Sequence, residues 1–108
     1  MEKRAKECPV KATLNLISDK WKVLIIHELI NGSKRSNELE KSLSGISRKV
    51  LTENLRSLEE NDIISRVLYP EAPPRVEYAL TSLGESLLPL LYAIAEWGER
   101  YLQHKSNK

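Results

Sequence analysis

Apolar positions recur first at helical spacing. Val10, Leu14 and Ile17 fall at i, i+4 and i+7 behind Pro9, which suits a first helical turn where its missing N–H is not needed. Ser18 and Asp19 interrupt this pattern and are placed to cap a second helix, Lys20–Ile30. Trp21, Leu24, Ile25 and Leu29 form one stripe of that helix, and Val23, Ile26 and Ile30 form another. Being apolar nearly all round, it is expected to be the central buried helix, stopped by Asn31-Gly32. Ser36 is placed to cap Asn37–Leu43, whose Leu39 and Leu43 make one apolar edge. Ser47 is placed to cap Arg48–Glu60, with a narrow stripe of Leu51, Leu55 and Leu58. Two short helices joined by Ser44-Gly45-Ile46-Ser47 have the pattern of a helix-turn-helix.

The period then changes. Ile63–Tyr69 and Arg75–Leu80 are rich in β-branched and aromatic residues and predict two strands. Pro70-Glu71-Ala72-Pro73-Pro74 cannot be helical, so the strands form a hairpin with a stiff, protruding tip. Ser82 and Glu85 have the spacing of a capping box, and a long helix is expected from Leu83 to about Leu102, kinked at Pro89. One stripe of that helix holds Leu83, Leu87, Leu90, Leu91, Ile94 and Trp97; Leu88, Tyr92, Ala95 and Leu102 form a second about 100° away. One stripe can cover the domain's own core, and the other then needs a partner, most simply a second copy. Leu87, Leu88, Leu91, Tyr92, Ala95 and Trp97 are the residues expected at that interface. The order of elements predicts a mainly α fold with a small β-hairpin wing: a winged helix-turn-helix plus a long C-terminal dimerisation helix. Residues 1–108 are expected to be a single unit, with an arm and first helix through 18, a helix-turn-helix over about 20–60, a wing over about 63–80 and a last helix over about 83–103.

Composition narrows the function. At 108 residues the chain fits one domain, and 41% apolar with 30% charged residues is ordinary globular composition. The longest near-apolar run, Val23 to Ile30, is broken by His27 and Glu28, too short to span a membrane. The charged start Met1–Glu7 has no apolar segment behind it, so no signal peptide is expected. A lone cysteine cannot form an intrachain disulfide, which favours a reducing cytoplasm. Four glycines, no phenylalanine and two lone histidines argue against an enzyme, a cofactor or a metal site. His27 is expected to be a core or hydrogen-bonded residue. Net charge is only +2, so the distribution of charge, not its sum, bears on nucleic acid.

That distribution is uneven. Opposite the leucines of Arg48–Glu60, helical spacing places Lys49, Thr52, Glu53 and Arg56, with Ser47 and Arg48 at the N-terminal end. Arg and Lys can pair with guanine, Thr can touch a thymine methyl and Glu can accept from cytosine, as a major-groove helix requires. Lys34 and Arg35 are expected to contact phosphates. Arg75, with Arg66 on the paired strand, can lie along phosphates or enter a minor groove. The plainer alternatives are a solvated helix face and an ordinary surface hairpin, and a protein-interaction module built on the same fold is the alternative function. Cys8 stands just ahead of the first helix with Lys3, Arg4, Lys6 and Lys11 near in sequence, a setting that suits a thiol sensor. A small buried hydrophobe is the alternative for it.

Several stretches resemble the HxlR-type transcription regulators, within the broader winged-helix group that includes MarR. They are Cys8-Pro9, Asp19-Lys20-Trp21-Lys22-Val23-Leu24-Ile25-Ile26, Asn37-Glu38-Leu39, Gly45-Ile46-Ser47-Arg48-Lys49-Val50-Leu51-Thr52, and Pro73-Pro74-Arg75-Val76-Glu77-Tyr78-Ala79-Leu80-Thr81 followed by Gly84. The resemblance covers about residues 8–101. It implies a cytoplasmic homodimer that binds a pseudo-palindromic operator in double-stranded DNA, contacting it through Ser47, Arg48, Lys49, Thr52 and Arg75. It also implies that the cysteine at position 8 can answer oxidants or electrophiles such as quinones and aldehydes. Two positions depart from the family pattern. Ser36 replaces an aromatic, and Asn61-Asp62 replaces a turn ending in glycine, a turn that should survive because Asn and Asp tolerate left-handed geometry.

Overall fold

The computed structural model describes residues 7–107. Lys3, Arg4 and Lys6, the cations expected near Cys8, lie outside the described residues. Along the chain come α1 (Pro9–Ile17), α2 (Lys20–Glu28), β1 (Lys34–Arg35), α3 (Ser36–Ser42), α4 (Arg48–Glu60), β2 (Ile64–Tyr69), β3 (Arg75–Leu80), α5 (Ser82–Glu85) and α6 (Leu88–Ser106). This is a winged helix-turn-helix with a long C-terminal helix, as the spacing predicts.

Short polar side chains set three of the six helix starts. Asp19 Oδ1 accepts from the Trp21 N–H at 2.8 Å, and Ser47 Oγ accepts from the Val50 N–H at 3.1 Å, each satisfying a first-turn donor. Two expected starts are corrected. Ser36 is already helical, with Arg35 at the cap position and the Glu38 carboxylate accepting the Arg35 N–H at 2.9 Å. Thr81, not Ser82, caps α5: its hydroxyl accepts from the Gly84 N–H at 3.0 Å and donates to the Asp62 carbonyl at 2.6 Å. Fixed from both sides, Thr81 joins the end of α4 to the start of α5.

The last helix is also corrected. It is two helices, divided by a tight turn at Ser86–Leu87 where the Leu87 N–H reaches the Gly84 carbonyl, three residues back, at 3.1 Å. Pro89 therefore lies in the first turn of α6, where proline costs little, and not at an interior kink. Leu87, Leu88 and Leu91 pack on the core, while Leu83, Leu90, Tyr92, Ile94, Trp97 and Leu102 are exposed.

The core itself is small. Ile25 and Ile26 from α2, with Leu29 at its C-cap, meet Leu39 of α3, Leu51, Leu55 and Leu58 of α4, and Ile63 and Ile64 at the start of the wing, with Leu43 and Ile46 closing the turn. The helix α2 ends at Glu28, short of the expected Ile30, and is buried on one side only, since Leu24 is exposed and Val23 half-buried. His27 is exposed, which corrects the expectation of a core histidine.

The sheet has the order β1-β3-β2, all antiparallel. β1 was not expected, since two charged residues carry no strand signal. It pairs Lys34 with Tyr78 and Arg35 with Glu77, tying the entrance of the helix-turn-helix to the wing.

Candidate nucleic-acid interface

The candidate recognition face forms because α4 turns its leucines inward. Lys49, Thr52, Glu53 and Arg56 are exposed on the opposite side, with Ser47 and Arg48 exposed at its N-terminal end. Gly45, at φ 92°, makes the turn from α3 that brings this face outward. Arg48 lies 3.4 Å from Glu40 of α3, but its side chain is 82% exposed, so water weakens the pair and the guanidinium stays open to another anion. Asn54, buried among the leucines, is satisfied by donating to the Val50 carbonyl at 2.9 Å.

The wing has two chemically different faces, because residues opposite each other across antiparallel strands point the same way. One face carries the row Lys34, Tyr78, Arg66, continued toward the tip by Val76 and Leu68. It looks toward α4: Arg66 and Tyr78 line a cleft with Thr52, Arg56 and Glu59. Burial pushes the Tyr78 phenol above its ordinary 10.0, with Arg66 pulling it down and Glu59 pushing it up, so it is a protonated donor at neutral pH.

The other face carries Arg35, Glu77, Val67, Arg75 and Tyr69. Arg75 sits within this network. Its Nη2 is 3.2 Å from Glu71 and its Nε 3.3 Å from Glu77, with the guanidinium stacked 4.2 Å over the Tyr69 ring. Glu77 also accepts from the Ser33 hydroxyl at 2.7 Å. Two carboxylates thus already surround the cation near the wing tip, while at the foot of the wing Lys34 is half-buried and Arg35 exposed.

A second surface is apolar. α1 has no buried residue, and Val10 and Leu14 are exposed beside Leu90 and Ile94 of α6 in a groove of about 370 Å³. A neighbouring groove of about 340 Å³ runs between α2 and α6, bordered by Val23, Leu24, His27, Tyr92, Ile94 and Ala95. Trp97 and Tyr101 stack at 5.4 Å further along the same helix. Of the residues expected at a dimer interface, Tyr92, Ala95 and Trp97 lie on this open side, whereas Leu87, Leu88 and Leu91 are engaged with their own core. Val10, Leu14, Leu90 and Ile94 belong to the open surface too. The i, i+4 spacing of Val10 with Leu14, and of Leu90 with Ile94, is the sequence signal for both pairs. Cys8 is exposed at the cap of α1, next to Pro9 and Val10 of that groove.

Among the described residues no group of three or more His, Cys, Asp and Glu side chains is placed to hold a metal. No helix of the described residues is long and apolar enough to cross a membrane.

An exposed polar helix behind a short turn, flanked by a hairpin, defines a winged helix-turn-helix of the DNA-binding class. Residues 16–106 match the model of the HxlR-like helix-turn-helix family. The chain belongs to that family, whose members here are regulators of transcription. It is 43% identical over 100 residues, 93% of this chain and 76% of the relative, to an uncharacterized HTH-type transcriptional regulator of Methanothermobacter thermautotrophicus. Among solved structures it is similar to the redox regulator HypR in its reduced form, at TM-score 0.86 and 38% identity over 94% of this chain and all of the other. It is also similar to the reduced transcriptional regulator YodB of B. subtilis, at TM-score 0.81 and 35% identity over 88% of this chain and 94% of the other.

Proposed function

We propose that the protein acts as a homodimer on a pseudo-palindromic operator, placing α4 of each copy in successive major grooves about 34 Å apart. The observation that carries this is the outer face of α4, where Lys49, Thr52, Glu53 and Arg56 are all exposed and none lies in an ion pair among the described residues. These four, with Arg48 and the N-terminal donors held by Ser47, read bases and hold phosphate. Lys34 and Arg35 add phosphate contacts from the foot of the wing, and Arg75 sets the wing's shape and meets phosphate through its remaining exposed edge. A second copy covers the α1 and α6 surface.

Cys8 makes the regulator responsive to thiol chemistry, a reading supported by its exposure and by the description of HypR as a redox regulator. Addition of a quinone or aldehyde carbon forms an S–C bond, and the thiol proton passes to the electrophile's oxygen. Hydrogen peroxide instead takes two electrons from the sulfur, giving sulfenic acid and water. Either product adds bulk or polarity beside the apolar groove and alters the angle between copies.

The test is titration of a fluorescent duplex from the DNA upstream of the gene, against a scrambled duplex, at several salt concentrations. Tight binding to the upstream duplex with a steep salt slope is expected, weakened by Lys49→Ala without loss of folding. Oxidant is expected to change the affinity of the native chain but not of Cys8→Ser. Absence of binding at low salt, with a protein partner copurifying, would establish the interaction module instead.

A further inference from the structure

The cleft between α4 and the wing has a composition that the recognition face alone does not explain. Arg56 and Thr52 enter it from α4, and Arg66 and Tyr78 enter it from the facing strands, across a volume of about 290 Å³. One carboxylate, Glu59, lies among them, with Arg66 Nε 3.7 Å from its Oε2. Two guanidinium groups against one carboxylate leave a single net positive charge. That distance is long for a hydrogen bond, and both side chains are well exposed, so the pair is weak and readily exchanged.

We infer that this cleft is a seat for one backbone phosphate of the bound duplex, held by Arg66 and Arg56 with the hydroxyls of Tyr78 and Thr52. A phosphodiester carries the one negative charge that the cleft lacks, and its two free oxygens accept several N–H and O–H donors together. The occupant belongs to DNA and is not a free anion, because Thr52 and Arg56 also stand on the outer face of α4. A phosphate reaching them lies on the strand bordering the groove that α4 reads. Glu59 then holds Arg66 in the free protein and yields it on binding. The site rests on the DNA-binding reading and adds Arg66 and Tyr78 to it as positioning contacts, fixing how deep α4 sits without reading a base.

The experiment uses the full chain, its upstream duplex and the scrambled duplex. Arg66→Ala is expected to weaken binding to both on the order of tenfold at fixed salt. It should also make the log–log salt slope shallower by about 0.9 per bound copy, the signature of one lost phosphate contact. Tyr78→Phe should weaken both duplexes while leaving the slope unchanged, since it removes a donor and no charge. Glu59→Gln should strengthen binding, and this gain should vanish in the Arg66→Ala background. Circular dichroism melts would show the variants folded. A native chain that binds neither duplex overturns the regulator reading and this site together. A native chain that binds, with Arg66→Ala leaving affinity and slope unchanged, overturns the site alone. A gain from Glu59→Gln that persists without Arg66 also overturns it, because it would mark general repulsion and not competition for one guanidinium.

Discussion

Asp62 is the one non-glycine residue with positive φ among the described residues, at 62°. It ends α4 with two returning bonds, Asp62 N–H to the Glu59 carbonyl at 3.0 Å and Ile63 N–H to the Leu58 carbonyl at 2.9 Å. These close a Schellman motif in which Leu58 and Ile63 pack together. The turn therefore survives without glycine, as the tolerance of aspartate for left-handed backbone predicts. Left-handed strain of roughly 1–2 kcal/mol exceeds the added chain entropy of glycine, about 0.5–1 kcal/mol. Asp62→Gly is accordingly expected to raise Tm by about 2–4 °C in a thermal melt. Gly84 has the opposite constraint. A Cβ there would overlap the Ile63 carbonyl oxygen, which accepts from both the Thr81 N–H and the Thr81 hydroxyl at 3.1 Å. Backbone cannot give way as a side chain would, so Gly84→Ala should cost about 1–3 kcal/mol, seen as a lower denaturation midpoint.

At the scale of elements, the legible parts were those with strong local chemistry. The turn at Ser44–Ser47, the leucine stripe of α4 and the prolines of the wing each specify one geometry from a few adjacent residues. What escaped depended on partners distant in sequence. β1 is two charged residues that become a strand only because β3 passes beside them. The same register decides which wing face each arginine occupies: Arg66 and Arg75 read alike in sequence, yet one faces α4 and the other stacks on Tyr69. The start of α5 was misplaced because Ser82 and Glu85 imitate a capping box, whereas Thr81 is selected by its bond to the Asp62 carbonyl. Pro89 tests the corrected boundary. An interior proline costs about 3 kcal/mol, so its removal would stabilise by a similar amount. In the first turn of α6, Pro89→Ala should instead change the unfolding free energy by less than about 0.5 kcal/mol.

Across the whole molecule, the radius of gyration is 16.2 Å, against about 13 Å for a compact chain of this length. The excess fits α6 extending beyond the small core with Ile94, Trp97 and Tyr101 uncovered. Ile94 borders both apolar grooves. Ile94→Glu should therefore give a folded monomer in sedimentation and lose most operator affinity, because two linked half-site contacts become separate ones.

The ties between wing and helix-turn-helix acquire another meaning in a two-copy assembly. The wing is stitched to the helix-turn-helix through β1 and Thr81, and Leu87, Leu88 and Leu91 pin the start of α6 to the same core, so each copy would turn as one body about the surface it shares with the other. The longest dimension is 56 Å, and half of it, 28 Å, is a fair arm length. A rotation of about 7° over that arm carries a recognition helix about 3.4 Å, one base-pair step along the duplex. A homodimer so built would be a caliper with stiff jaws, and a small disturbance where the copies meet would become a whole-base error at the tips.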